Sequence, residues 1–250
     1  MVYICIPTHN EDRTIGVLLW KIRQVMVEFE RDFEVLVLDD ASTDRTAEAL
    51  AQYRKVIPLV VMREETRIGY PAAVARLVQE AVQRTAYPKR DAVVTLQGDF
   101  TEHPEHIVPL IKTLEGGADI VAGTVEGGGQ RPPNGLRVAR WLAPVILGRA
   151  FGGAPVSDPL CGFRAYRLIV LKKALQALEG RPLASGDGWA ANLEILRNVA
   201  PHARRIEEIP LGLRYDIRTR PSRFRPFRTL RELARVRRGD WWSLERGRAK

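Results

Sequence analysis

The stretch that decides the fold is Val93-Val94-Thr95-Leu96-Gln97-Gly98-Asp99-Phe100-Thr101-Glu102-His103-Pro104. Its first four residues have the pattern of a buried strand. Pro104 opens a segment with helical apolar spacing, and proline suits a first helical turn because its missing N–H is not needed there. Asp99 is therefore predicted in the turn between a strand and a helix. Ligands bind at that edge in open α/β sheets, although a lone aspartate there is more often a turn residue.

The rest of the chain repeats this alternation of strand and helix. Apolar runs predict strands at Val2–Pro7, Phe33–Leu38, Leu59–Met62, from Ala92, at Asp119–Ala122 and near Arg205–Ile209. Helical spacing predicts helices between them, including Arg45–Tyr53, Ala72–Arg84, Gly135–Phe151, Leu168–Leu178 and Asp187–Val199. Strands that alternate with helices predict βαβ units and a mostly parallel sheet, which is an α/β fold.

Polar residues gather in the loops that follow the predicted strands. Thr8 to Glu11, Asp39 to Asp44 and Gln97 to Asp99 each come directly after a strand. In a parallel sheet such loops lie along one edge, so this convergence favours a functional role for Asp99. Carboxylates at this edge suit a hard cation such as Mg²⁺ or Mn²⁺, or the hydroxyl and N–H donors of a nucleoside.

Other common sites have no motif in the sequence. There is no Gly-x-x-x-x-Gly-Lys-Ser/Thr, and no Gly-x-Gly-x-x-Gly follows the first strand. His103 and His106 have no Glu-x-x-His partner pattern. Cys5 and Cys161 make neither a disulfide framework nor a zinc site, so we expect a reducing compartment, the cytoplasm. We find no signal-peptide pattern and no apolar run near the roughly 20 residues that span a bilayer.

Four segments, in order, resemble family 2 glycosyltransferases. Ile6-Pro7-Thr8-His9-Asn10-Glu11 resembles their IPTYNE opening, and Val37 to Thr46, which reads VLDDASTDRT, resembles their VDDxSxDxT segment. Gln97-Gly98-Asp99 falls where they have Asp-x-Asp. Ser157-Asp158 through Gly162-Phe163-Arg164-Ala165-Tyr166 resembles the D…SGFRxY segment of the polyprenyl-phosphate hexose synthases, the dolichyl-phosphate mannose synthase type. The resemblance runs from about residue 2 to residue 225.

The resemblance implies a GT-A fold, in which helices flank a Rossmann-like, mostly parallel sheet in a single catalytic domain. It implies an inverting transfer of a hexose from a UDP- or GDP-hexose to a polyprenyl phosphate, with Mg²⁺ or Mn²⁺ as the cofactor. Two alternatives stay open. One is transfer to a hydroxyl of a sugar or small natural product, and the other is a non-catalytic homologue that binds a nucleotide or a membrane.

The resemblance also implies residue roles on the donor side. Asp40 is expected to hold the base or ribose, with Asp39 beside it. Asp99 is expected to be the metal ligand, because a bound cation neutralises the charge that develops on a diphosphate leaving group. Arg63 and Gly69 match a turn under the nucleotide. The other residues expected to bind the nucleotide are Pro7, Thr8, Asn10, Glu11, Gln97 and Gly98.

Gln97 replaces the first aspartate of Asp-x-Asp, so metal affinity is expected to fall. On the acceptor side, these synthases usually carry Gly-Ser-Arg after the fifth strand, and Gly123-Thr124-Val125 stands there instead. Arg137, Arg140 or Arg164 could face the acceptor phosphate in its place, or each could be a solvated charge or part of an ion pair.

Two aspartates complete the expected catalytic residues, which are Asp99, Asp158, Arg164 and Asp187. Asp158 lies in the segment that resembles D…SGFRxY. A hydroxyl acceptor would need a general base, and Asp187 is the candidate for that role. A helix N-cap before Trp189 is the alternative for Asp187.

The net charge of +9 is confined to the end of the chain. Residues 1–213 hold 26 Lys/Arg and 26 Asp/Glu, whereas residues 214–250 hold 13 and 4. We therefore expect a glycosyltransferase domain at 1–214 and a basic tail at 215–250. Aromatic residues among the arginines of this tail fit peripheral contact with the cytoplasmic face of a membrane. A nucleic-acid partner is not expected. The two other interpretations of the tail are a segment that binds nucleic acid and a solvated chain end.

Overall fold

The structure is a computed structural model that describes residues 1–125, 156–186, 188 and 190–212. Its elements, in chain order, are β1 (Val2–Thr8), α1 (Ile15–Phe29), β2 (Phe33–Asp40), α2 (Thr46–Tyr53), β3 (Leu59–Glu64), α3 (Tyr70–Arg84), β4 (Ala92–Thr95), a 3₁₀ turn (Pro104–His106), α4 (Ile107–Glu115), β5 (Ile120–Val125), β6 (Arg164–Arg167), α5 (Leu168–Leu178), α6 (Ala190–Val199), a second 3₁₀ turn (Ala200–His202) and β7 (Ile206–Leu211).

The described strands form one seven-stranded sheet in the order β3-β2-β1-β4-β6-β5-β7. The pairs β3–β2, β2–β1 and β1–β4 are parallel, and β5 is parallel to β7. Only β6 runs the other way, antiparallel to both β4 and β5. The predicted α/β fold with a mostly parallel sheet is confirmed.

Two apolar layers pack on the two faces of this sheet. Alternate residues of each strand point to opposite faces, so Val35 and Val37 of β2 join one core cluster while Leu36 and Leu38 join the other. The first cluster includes residues of α1 and α4, and the second includes residues of α3, α5 and α6. Burying each such aliphatic side chain contributes about 1.5–3 kcal/mol, and the two layers fix the parallel strands so that their carboxyl ends share one edge.

The structure differs from the sequence expectations in two places. No strand is predicted from the sequence at Arg164–Arg167, yet this short segment forms β6 between β4 and β5. The helix expected from Asp187 begins instead at Ala190. The expected helix at Gly135–Phe151 and the basic tail at 215–250 lie outside the described residues. Within the described part of the chain, no helix is long and apolar enough to cross a bilayer.

Candidate active site

The loops after β1 and β2 are joined by hydrogen bonds at the shared edge of the sheet. The imidazole Nδ1 of His9 lies 2.7 Å from the carbonyl oxygen of Asp40. The N–H of Asn10 donates to Oγ of Ser42 at 2.9 Å, and the N–H of Thr43 donates back to Oδ1 of Asn10 at 2.8 Å. Hydrogen bonds therefore join these two loops into one wall of the candidate site. Such contact is expected because β1 and β2 are neighbouring parallel strands that end at the same edge.

The loop after β4 joins this wall through Gly98. The hydroxyl oxygen of Thr14 lies within hydrogen-bond distance of the carbonyl of Gly98, at 3.0 Å, and of the carboxylate of Glu11, at 3.1 Å. A Cβ added to Gly98 would lie 3.2 Å from Oγ1 of Thr8, so the two loops are in close contact. The predicted convergence of the three loops at one edge is confirmed.

Asp40 holds a turn of the backbone. Its Oδ1 accepts the N–H of Ile68 at 2.6 Å, and its Oδ2 accepts the N–H of Gly69 at 3.0 Å. Gly69 has a φ of +85°, a conformation that side chains rarely adopt, and the next residue begins α3. Each carboxylate oxygen of Asp40 thus accepts one backbone N–H, and the expectation that this residue holds the base or ribose stays a prediction.

One carboxylate oxygen of Asp39 accepts no hydrogen bond from the described residues. The side chain is fully buried, and its Oδ1 accepts the N–H of Ser42 at 3.0 Å. Its Oδ2 has no hydrogen-bond partner among the described residues, and Nε of Arg63 lies 3.7 Å away, too far for a hydrogen bond. A buried polar atom without a partner is costly, so this position favours a ligand that brings an N–H or O–H donor.

The loop that carries Asp99 closes on itself. Oδ1 of Asp99 accepts the N–H of Thr101 at 3.1 Å, and Phe100 between them has a φ of +61°. The N–H of Gln97 donates to Oε2 of Glu102 at 2.7 Å, which fixes the other end of the loop. Asp99 and Glu102 are both buried. The loop presents Asp99 in a fixed orientation with one oxygen already hydrogen-bonded.

The donor set at this loop fits only a cation that takes most of its ligands elsewhere. No group of three or more His, Cys, Asp or Glu among the described residues could hold a metal ion. Asp99 supplies a carboxylate and Gln97 an amide oxygen. Mg²⁺ in enzymes is commonly held by one or two carboxylates together with substrate phosphates and water, and these two side chains fit that pattern.

Arg164 lies inside the fold. Its side chain is buried, with Nη1 donating to the carbonyl of Asn192 at 2.6 Å and Nη2 to the carbonyl of Pro159 at 2.7 Å. The guanidinium therefore holds two backbone carbonyls, and its expected role toward an acceptor phosphate stays a prediction. Asp158, half-buried at the start of the same segment, accepts the N–H of Leu160 at 3.2 Å.

The segment from Asp158 to Phe163 lies beside the Asp99 loop, because Arg164 pairs with Thr95 at the end of β4. The hydroxyl of Thr95 donates to the carbonyl of Gly162 at 2.7 Å. Cys161 is buried in this segment, and burial raises the pKa of its thiol to about 12, so it stays protonated and unreactive. The structure thus places Asp158 at the same edge as Asp99.

A buried carboxylate on α6 holds the loop before that helix. Oε2 of Glu194 accepts the N–H of Ser185 at 2.7 Å and that of Gly186 at 2.9 Å. A Cβ on Gly186 would lie 2.7 Å from Oε1 of Glu194, so a larger residue there would have to displace this carboxylate. Asp187 follows directly but lies outside the described residues, as do Arg137 and Arg140. Their expected roles stay predictions.

Comparison with known proteins agrees with this geometry. The family model described as glycosyl transferase family 2 matches residues 3–175. The chain belongs to this family. The expected GT-A fold is also confirmed, because the chain superposes on glucosyl-3-phosphoglycerate synthase from Mycobacterium tuberculosis with a TM-score of 0.64. That match has 23% identity and covers 94% of this chain and 76% of the other.

Relatives in this family include transferases that act on lipid phosphates by name. The chain is 31% identical over 181 residues to undecaprenyl-phosphate 4-deoxy-4-formamido-L-arabinose transferase of Pseudomonas fluorescens, covering 71% of this chain and 50% of that protein. It is 28% identical to dolichol-phosphate mannosyltransferase of Pyrococcus furiosus, covering 88% of this chain and 57% of that protein. The chain thus spans about half the length of the curated relatives it matches.

Several residues near this edge make contacts that the sequence patterns do not predict. Tyr70 and Asn192 contact each other across the structure, with the hydroxyl of Tyr70 donating to Oδ1 of Asn192 at 2.7 Å. Glu194 binds the loop that precedes its own helix. Thr14 could have been found from its place just before the helical pattern of α1, and Ser42 from its place in the VLDDASTDRT segment.

Proposed function

We propose that this chain is an inverting glycosyltransferase that moves a hexose from a UDP- or GDP-hexose to a polyprenyl phosphate. The observation that carries the proposal is Oδ2 of Asp39, which has no hydrogen bond and is buried beside Arg63 where three strand-end loops meet. A nucleobase with a ring N–H, as in uracil or guanine, would supply the missing donor. The Mycobacterium tuberculosis neighbour of the same fold was crystallised with UDP and Mn²⁺, which supports a nucleotide at this edge.

Two exposed arginines stand beside the donor position. Arg63 and Arg67 are both 58% exposed and lie 3.7 and 3.8 Å from the carboxylates of Asp39 and Asp40. Arginine binds phosphate through charge-assisted hydrogen bonds, so these side chains suit the diphosphate of the donor. The wall residues Pro7, Thr8, Asn10 and Glu11 would shape the rest of the nucleotide pocket.

Asp99 and Gln97 are the residues that would hold Mg²⁺ or Mn²⁺. Such a cation, when bound, neutralises the charge that develops on the leaving diphosphate. The closed loop from Gln97 to Glu102 holds the Asp99 carboxylate in place before the donor arrives, so little reorganisation is needed.

The acceptor side rests on the relatives and on chemistry. Both curated relatives carry a polyprenyl phosphate in their names. A phosphate oxygen is already anionic, so it can attack the anomeric carbon without a general base, and attack opposite the diphosphate inverts that carbon. Arg137 and Arg140 are proposed to bind the acceptor phosphate, and Asp158 is proposed to face the reacting sugar from the neighbouring segment.

A hydroxyl acceptor is the second candidate, and one observation favours it. Glu194 holds the N–H groups of Ser185 and Gly186, the two residues that precede Asp187 in the chain. In that case Asp187 would remove the proton from the acceptor hydroxyl.

Product analysis separates these candidates. The full chain is incubated with a panel of UDP- and GDP-hexoses, Mn²⁺, and either a short-chain polyprenyl phosphate or soluble sugars, and products are identified by mass spectrometry. A hexosyl-phosphate lipid supports the proposal. Sugar products without a lipid product support the hydroxyl acceptor. No turnover with any donor would refute the enzyme assignment and leave a nucleotide-binding homologue.

We also propose that residues 1–214 form the glycosyltransferase domain and that the tail at 215–250 binds the cytoplasmic face of a membrane. Each Lys or Arg near an anionic surface contributes about 1 kcal/mol, and this tail accounts for the whole net charge. Full-length protein should pellet with vesicles containing phosphatidylserine, and protein 1–214 should not. Equal pelleting of the two would contradict this role.

A further inference from the structure

We propose that Tyr70 and Asn192 form a buried link through which a nucleotide in the donor pocket tightens the segment Asp158–Phe163. The inference rests on the proposed function, because a nucleotide must first bind beside Asp39. Neither residue contacts the proposed donor itself. Both are positioning residues, and the link runs from the turn 67–70 on one side to the segment 158–163 on the other.

The turn 67–70 is tied to the donor pocket at two points. Arg67 is exposed, with Nε 3.8 Å from Oδ2 of Asp40, so a diphosphate at this edge would meet its charge. The amides of Ile68 and Gly69 are bound to the two oxygens of Asp40, next to Asp39 in the chain. A ligand that draws on Arg67 or orders Asp40 therefore restrains the turn, and Tyr70 follows it directly.

The segment 158–163 is held by α6 and β6. The amide Nδ2 of Asn192 donates to the carbonyl of Leu160 at 2.9 Å, and the guanidinium of Arg164 binds the carbonyls of both Pro159 and Asn192. Asn192 is 3% exposed, so water cannot replace these bonds cheaply. Asn192 thus fixes where the segment that contains Asp158 lies.

A hydrogen bond joins the two sides. The hydroxyl of Tyr70 donates to Oδ1 of Asn192 at 2.7 Å, and burial raises the pKa of Tyr70, so this hydroxyl keeps its proton. Because Oδ1 accepts from Tyr70 while Nδ2 donates to Leu160, the amide cannot flip without losing both bonds.

Tyr70 and Asn192 are also packed closely against Gly162 of the segment. A Cβ added to Gly162 would lie 2.8 Å from Oη of Tyr70 and 2.9 Å from Nδ2 of Asn192. Protein interiors are close-packed and pass small shifts on to their neighbours, so a restrained Tyr70 restrains the segment.

Hydrogen exchange on the full-length protein tests the link, with UDP and GDP, each with Mn²⁺, as the probes. In the wild type, the nucleotide that binds should slow exchange at the amides of Ile68 and Gly69 and also at those of Leu160 and Cys161. Tyr70→Phe should keep the first effect and reduce the second by about 5-fold or more, the usual size of a coupling between sites. Asn192→Asp, which keeps the acceptor for Tyr70 but loses the donor to Leu160, should give the same result.

Tyr87→Phe is the matched control, because Tyr87 is 66% exposed and lies outside the link, and it should behave as the wild type. Slowing at Ile68 and Gly69 alone in the wild type would overturn the inference. So would Tyr70→Phe with full slowing at Leu160, or with an equal loss of protection throughout the sheet. Absence of nucleotide binding by calorimetry would refute the donor assignment, and the link with it, and is distinct from binding without coupling.

Discussion

The neighbouring carboxylates Asp39 and Asp40 should respond in opposite ways to the same substitution. Asp39→Asn keeps Oδ1 for the N–H of Ser42 but replaces Oδ2, which has no hydrogen bond, with an NH₂ group. The N–H of a bound base would then face another N–H. A hydrogen bond to a charged group contributes about 1.5–3 kcal/mol, so nucleotide affinity should fall roughly 10- to 150-fold.

We expect Asp39→Asn to have little effect on the stability of the fold. Oδ2 of Asp39 has no hydrogen bond to lose, and its ion pair with the exposed Arg63 spans 3.7 Å. Pairs with such an exposed partner contribute about 0–1 kcal/mol, so the melting temperature of Asp39→Asn should stay within a few degrees of the wild type.

Asp40→Asn should show the reverse. Both oxygens of Asp40 accept backbone N–H groups, from Ile68 and Gly69, and an amide can accept only one of them. The N–H left without a partner costs about 1–3 kcal/mol, which lowers the melting temperature of a protein this size by about 2–4 °C per kcal/mol. Nucleotide affinity should fall less than in Asp39→Asn.

Calorimetric titration with UDP and GDP, together with thermal melts, measures both effects on the same samples. The reasoning is refuted if the pattern is reversed, with Asp40→Asn abolishing nucleotide binding at an unchanged melting temperature. It is equally refuted if Asp39→Asn binds nucleotide as the wild type does.

Three further changes test other parts of the structure. Gly123→Ala would place a Cβ against the side chain of Leu211, so thermal melts should show a loss of about 1–3 kcal/mol; no loss would mean that β5 and β7 are packed differently. Burial lowers the pKa of His106 from 6.5, so the unfolded chain takes up this proton first and stability should fall as the pH drops below 6.5. His106→Gln should flatten that part of the stability curve, and an unchanged slope would contradict the assignment. Gln97→Asp adds a carboxylate next to the proposed cation and should lower the Mn²⁺ concentration for half-maximal turnover, whereas an unchanged or higher requirement would argue against Gln97 as a ligand.

Much of the fold could be predicted from the sequence because its signals are local. The apolar run of β2 ends in Asp39-Asp40, and this pattern alone places both carboxylates at the carboxyl edge of a parallel sheet. The same reasoning placed Gln97–Asp99 there. β6 escaped prediction because it has four residues and is inserted antiparallel between β4 and β5, which is decided by long-range pairing.

The roles of individual side chains at the site depend on contacts between residues that are distant in the sequence. The two adjacent aspartates look alike in the sequence, and only the position of the amides of Ile68 and Gly69 shows that both oxygens of Asp40 accept backbone N–H groups. Arg164 could face an acceptor or serve the fold by its sequence, and its contacts in the structure are with backbone carbonyls, which have no sequence signature. Asn192 likewise has partners that are distant in the chain, among them Tyr70, 122 positions away.

The central claim is that a nucleotide-sugar donor binds at the edge formed by the loops after β1, β2 and β4. A crystal structure of the full chain with Mn²⁺ and the nucleoside diphosphate that binds more tightly tests it most directly, because Mn²⁺ is located by its anomalous scattering. The account predicts a base N–H on Oδ2 of Asp39 and a manganese peak bonded to the carboxylate of Asp99. A nucleotide bound elsewhere, or a manganese peak away from Asp99 with the diphosphate in place, would contradict it.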